Sequence, residues 1–152
     1  MNHNTFDRRI QLGASRRRRE DAEALHNAGR WAGAIYLGGY AIECALKALI
    51  CYLDCKDDFR DTRTFEQRFK QDRHGNSLHN LSRLLGALPG VQRAMRVDRT
   101  STYQQAWNII TNLWEKDQLR YWNQTGNQRD SERFITAIKT IHLFLLAEQG
   151  ET

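Results

Sequence analysis

Residues 31–53 read WAGAIYLGGYAIECALKALICYL, and how this stretch is read decides the fold. Placed on a helix at about 100° per residue, Ile35, Ile42, Leu46, Leu49 and Leu53 gather on one side. Ala34, Ala41, Ala45 and Ala48 fill the adjoining sector, with Cys44 and Cys51 beyond them. Apolar residues therefore cover most of the circumference, which predicts a central helix surrounded by others. Tyr36, Tyr40, Glu43 and Lys47 fall together as a narrow polar stripe. Gly38 and Gly39 each cost about 1 kcal/mol relative to alanine inside a helix. Close approach of another backbone is the expected offset. An exposed Glu43–Lys47 pair would return only about 0.3–0.5 kcal/mol, so the stripe reads as a cleft lining, a dimer contact, or both.

Working outward, the chain has 152 residues, 40% hydrophobic and 27% charged. That length predicts one domain, residues 1–152, able to bury roughly two thirds of its unfolded surface. The only proline is Pro89, and few runs alternate with period two, so the expected fold is all-α: an up-and-down bundle of about five helices. The first helix runs from about Thr5 to Ala28, closed by Gly29, and the opening stretch is the second. Residues 54–77 form a polar excursion with a short helical turn around Phe65 and Phe69. Ser77 caps a third helix, LHNLSRLLGAL, ended by a Pro89-Gly90 turn. A fourth, from about Ser101 to Trp122, carries Tyr103, Trp107, Ile110 and Trp114 as an apolar stripe. Ser131 caps the last, with Phe134, Ile138, Ile141 and Leu145 on one face.

The first 30 residues are polar, with six arginines among the first 20 and no apolar leader core. A spanning helix with Glu43 and Lys47 at its middle would be costly. These features predict a cytoplasmic protein that does not engage the membrane. Cys44, Cys51 and Cys55 form no paired motif and read as reduced cysteines, the first two in the core. No histidine lies at a spacing that would complete a zinc site, so neither metal nor other cofactor is expected.

The net charge is +5, yet 18 of 23 basic residues are arginine. Arginine's planar fork suits phosphate and stacks on bases, which points to an RNA or nucleotide partner; a GC-rich genome would give the same bias. The run Arg16–Arg19 is followed by Glu20, Asp21 and Glu23, so it reads either as a salt-bridged face or as a phosphate-binding edge.

The run RREDAEALHNAGRWAGAIYLGGYAIECALKALI resembles the first two helices of HEPN domains, small helical bundles of prokaryotic toxin–antitoxin and defence systems. The likeness continues at LHNLSRLL and at LRYW and spans about residues 16 to 146. It implies an RNA-targeting toxin or defence ribonuclease, metal-independent, with its active site across a homodimer. The alternative it carries is a non-catalytic module that binds nucleotide or RNA, or that pairs with a small nucleotidyltransferase or an antitoxin. The family's motif is an arginine followed, after a short gap, by a histidine. Arg73 and His79 meet that spacing, though ahead of the third helix; Arg120-Tyr121 lies nearer the usual place, with no histidine after it. The resemblance thus implies His79 as acid/base and Arg73 or Arg120 on the phosphate. Glu43 and Lys47 would line the cleft, and Tyr40 or Tyr121 would stack a base. His142, on an apolar helix face, reads as a satisfied core or interface histidine.

Overall fold

The computed structural model describes residues 4–72, 75–121 and 126–152. Among them the regular structure is helical, apart from one isolated bridge between Asp7 and Asp58. The chain forms an all-α helical bundle. In order, the helices are α1 (Arg8–Asn27), α2 (Trp31–Leu53), α3 (Arg63–Arg68), α4 (Leu81–Gly86), α5 (Pro89–Val97), α6 (Thr102–Leu113), α7 (Lys116–Tyr121) and α8 (Gln128–Ala147). Two 3-10 turns, Phe59–Asp61 and Asn76–His79, punctuate the polar excursion.

α2 is the opening stretch, end for end. It is long and apolar enough to cross a bilayer by length and composition. In the fold it is instead enclosed, chiefly by α1 and α8, with α4 and α7 closing the remaining side. Ala34, Ala41, Ile42, Ala45, Leu46, Ala48 and Leu49 are wholly buried. Gly29, at φ +75°, makes the tight connection from α1 that a side chain would strain.

The glycine pair has a different cause from the one the sequence suggested: aromatic rings fill the notch, rather than a neighbouring backbone. A Cβ on Gly39 would stand 2.0 Å from Cε2 of Trp114, and one on Gly38 would stand 2.9 Å from Cε1 of Phe134. The notch also explains why the expected fourth helix is two. α6 stops at Leu113, Trp114 leaves helical geometry with ψ 83°, and its indole drops onto Gly39. Its Nε1–H donates to the Tyr36 carbonyl at 3.0 Å, and α7 restarts at Lys116. Trp122, the expected end of that helix, lies outside the described residues.

Other boundaries shift for local reasons. Pro89 opens α5 instead of ending a helix, since a first-turn position needs no N–H and suits its fixed φ. Asn80, not Ser77, caps α4, its Oδ1 accepting from Arg83 N at 3.0 Å. Asn127, not Ser131, caps α8. Ser131 is buried one turn later, its Oγ 2.7 Å from Nδ1 of His26.

The arginine run is largely spent on the fold. Arg18 pairs with Asp21 at 3.2 Å, Arg19 reaches Glu23 at 3.8 Å, and Arg16 holds Glu151 at 3.2 Å. These contacts favour the salt-bridged face over the phosphate-binding edge. Cys51 is buried, Cys44 partly so and Cys55 exposed; all three are free thiols. Burial pushes the Cys44 thiol up to about 11 and the Cys51 thiol up to about 12, so both stay protonated and unreactive at neutral pH.

His142 is fully buried between α1 and α8. Arg19 Nη1 donates to its Nδ1 at 3.1 Å, and because a guanidinium only donates, Nδ1 carries the lone pair. Nε2–H then donates to Ser15 Oγ at 3.1 Å, and the Ser15 hydroxyl donates to the Leu12 carbonyl at 2.7 Å. Burial, reinforced by the charges of Arg19 and Arg16, lowers His142 from 6.5 to about 4. The unfolded chain therefore takes up a proton near 6.5 while the native chain refuses it until about 4. Stability is lost as the pH falls across that window, by about 3 kcal/mol in all. Urea titrations of the parent and His142→Gln from pH 7 to pH 4 are expected to converge toward acid by that amount. A constant gap between the two would refute the account.

Candidate functional site

The polar stripe of α2 meets the Asn76–His79 turn and α7. Glu43 and Lys47 are each 4% exposed. The small return of an exposed pair therefore does not apply to them. Their heads meet at 3.1 Å, and the Lys47 ammonium also lies over the Phe59 ring at 5.9 Å. α2 places the two carriers four residues apart on one face, while the turn brings His79 over the carboxylate from outside.

His79 Nδ1 lies 3.2 Å from both carboxylate oxygens of Glu43. A carboxylate accepts only, so Nδ1 carries the proton and donates. Nε2 is then left with its lone pair in the neutral ring, and the side chain is half exposed. Burial alone would raise the Glu43 carboxyl. Hydrogen bonding from His79 and the Lys47 charge outweigh that and hold it below the ordinary carboxylate value. At neutral pH the group is a buried anion shared by a lysine and a histidine.

α7 adds further cations. Lys116 Nζ donates to the His79 carbonyl at 2.6 Å and lies 4.9 Å from the centre of the Trp114 ring. Arg120 follows one turn later on the same face, near enough to Tyr36 and Tyr40 for its charge to act on both phenols. Tyr40 donates to Tyr36 at 3.4 Å and meets the Trp114 indole edge-on at 5.2 Å. That bond, with the neighbouring Arg120, lowers the Tyr36 phenol. Burial, together with the Tyr36 bond, pushes Tyr40 up to about 12. Arg120 is in turn raised by the tyrosines and remains a fixed cation.

The chain matches no protein-family model, no curated protein and no solved structure. The site must be read from its own geometry.

Of the residues singled out by sequence, Tyr40, Glu43, Lys47 and His79 come together, with Arg120 joining through the tyrosines. Arg73 lies outside the described residues. Tyr121 stands apart: it is 78% exposed, beneath the Arg120 guanidinium at 5.9 Å. It lines a separate groove of about 680 Å³ with Ile35, Leu113 and Leu119. Tyr40 is wedged between Tyr36 and Trp114, a wall of the site rather than an open stacking platform. Tyr36, Trp114 and Lys116 also border the candidate site, though the sequence assigned them no individual role there. Tyr36 had a signal, one turn before Tyr40 on the polar stripe; Lys116 had none. His79, Trp114 and Lys116 line a shallow groove of about 250 Å³. Among the described residues, no three His, Cys, Asp or Glu side chains gather in a way that would hold a metal.

Proposed function

We propose that this chain is an RNA-cleaving enzyme, a HEPN-like toxin or defence ribonuclease that works as a homodimer. The observation that carries the reading is the bond between His79 and the buried Glu43 carboxylate. It fixes one tautomer, turns the Nε2 lone pair outward and supplies an anion to stabilise the imidazolium once a proton arrives. RNA needs that chemistry. Nε2 takes the proton of a 2′-hydroxyl, the 2′-oxygen bonds to phosphorus, and the bond from phosphorus to the 5′-oxygen breaks. The 5′-oxygen takes a proton from water, leaving a cyclic phosphate and a 5′-hydroxyl, and the imidazolium returns its own proton to the solvent. Charge builds on the non-bridging oxygens in between, and fixed cations lower that barrier. Lys116 and Arg120, one turn apart on α7, are the cations assigned to it, with Tyr36 and Tyr40 orienting Arg120. The homodimer follows from the family resemblance and is checked by sedimentation.

The test is a mixed RNA substrate incubated in EDTA with the parent, His79→Ala and Arg120→Ala. The parent is expected to cleave, and loss of His79 to lower the rate by roughly 10²–10⁴-fold. Undiminished cleavage by His79→Ala sinks this assignment of the site. A folded parent that leaves RNA intact sinks the nuclease reading altogether and transfers the stripe to RNA or nucleotide binding, or to docking a nucleotidyltransferase or antitoxin.

A further inference from the structure

A third groove, of about 620 Å³ and larger than the one at His79, is also lined by Asn80, which the two share. Its walls are polar throughout: Arg68 at the end of α3, Arg83 in α4, two glutamines, Asp72, Ser77 and Asn80. Both guanidinium-bearing residues are exposed, and neither side chain has an ion-pair or hydrogen-bond partner among the described residues. Asp72 is engaged: its Oδ2 accepts from Ser77 N at 2.6 Å. Asn80 Oδ1 is occupied by the α4 cap, which leaves its amide nitrogen to donate.

Ser77 is the decisive residue. It is only 3% exposed, it lines this groove, and among the described residues its hydroxyl has no hydrogen-bond partner. A buried hydroxyl without a partner is a standing cost to the fold. The sequence reading gave Ser77 a capping role that Asn80 performs instead, so capping does not explain the hydroxyl. The hydroxyl is closed to solvent as it stands, and a turn of the Ser77 side chain into the groove would give it a ligand atom to bond.

We infer that this groove is a phosphate subsite for single-stranded RNA, next along the chain from the nucleotide held at His79. The inference rests on the proposed nuclease reading for its place beside a reactive phosphate, though not for its chemistry. Two arginine forks, a buried hydroxyl and an amide present donors, and arginine forks match phosphate oxygens two at a time. Among the described residues Asp72 is the one carboxylate in the wall, and its bond from Ser77 N ties it to the backbone. The volume is within the range that accepts a nucleotide-sized group. The shared wall at Asn80 lets one strand run from groove to groove.

The test is fluorescence anisotropy of a labelled 2′-O-methyl RNA octanucleotide, which lacks the attacking hydroxyl, on the full chain over a potassium chloride series. Arg68→Gln/Arg83→Gln is expected to weaken binding at least tenfold. It is also expected to flatten the log–log salt slope by about 1.4, the loss of two single-strand phosphate contacts. Ser77→Ala is expected to bind several-fold more weakly while melting no lower than the parent, because the hydroxyl it removes has no partner in the fold. Binding that the double change leaves untouched, or no binding by the parent, overturns the subsite. Because the probe cannot be cut, the two readings separate. A chain that binds through Arg68 and Arg83 yet cleaves nothing keeps the subsite and loses the nuclease. One that cleaves with an affinity and salt slope indifferent to both arginines does the reverse.

Discussion

Gly39→Ala is expected to cost the fold roughly 3 kcal/mol or more, a large share of the stability of a domain of this size. An added methyl would sit 2.0–2.2 Å from three atoms of the Trp114 indole, inside any real contact distance. α2 is pinned on every side, so the indole must give way. It is 8% exposed and bonded to the Tyr36 carbonyl, and Tyr40 packs edge-on against it. Losing the hydrogen bond removes about 1 kcal/mol. Losing the aromatic pair removes about as much again, and unpacking a large indole costs several more. Against this, alanine's better helix propensity returns only about 1 kcal/mol. Gly86→Ala is the matched control: no atom lies within 4 Å of its Cβ position, so it is expected to be neutral or slightly stabilising. Urea denaturation followed by tryptophan fluorescence reads both. A Gly39→Ala midpoint within about 1 kcal/mol of the parent would mean that Trp114 does not depend on the notch. The same substitution reaches the site, because Trp114 is the hinge from which α7 carries Lys116 and Arg120.

The contrast between Gly39 and α2 shows where sequence reading works and where it stops. The span and centrality of α2 are written locally: apolar side chains all round a helix of that length leave nothing but burial. The reason for its glycines is written 75 or more residues away, in a tryptophan and a phenylalanine that sequence alone reads as members of core stripes. The break after Leu113 was equally hidden, since residues 102–121 continue the helical pattern through Trp114 without a glycine or proline. Pro89 was visible but ambiguous, because proline both ends helices and begins them. The site was half legible. Tyr40, Glu43 and Lys47 stood out as a polar stripe, and the family resemblance singled out His79. What joined them, a hydrogen bond across 36 residues of chain, follows from the path of the polar excursion and has no local signature.

The partnership of Glu43 with Lys47 and His79 makes Glu43→Gln the second large effect, and it separates fold from chemistry. The exchange leaves the Lys47 ammonium, 4% exposed, without its counter-charge. Breaking one side of such a pair costs about 3–5 kcal/mol. The same exchange replaces an obligate acceptor with an amide that also donates. A donor facing Nδ1 would select the opposite tautomer and put the proton on Nε2, which then cannot take one from a hydroxyl. On the proposed ribonuclease reading, RNA cleavage is accordingly expected to fall by roughly 10²–10⁴-fold even where the protein is fully folded. The folded-state carboxyl of Glu43 lies below its ordinary value, so its stabilising share is present above about 4.5 and lost as the pH falls through that lowered value. Glu43→Gln is expected to lack that part of the acid dependence. Adding Lys47→Met removes the stranded charge and fills its volume with an apolar chain against Phe59. Buried pairs replaced in this way are commonly neutral or stabilising. The double variant should therefore regain most of the lost stability and none of the lost cleavage. If activity returns along with stability, Glu43 acts only through the fold, and His79 needs no carboxylate behind it to do whatever chemistry it does.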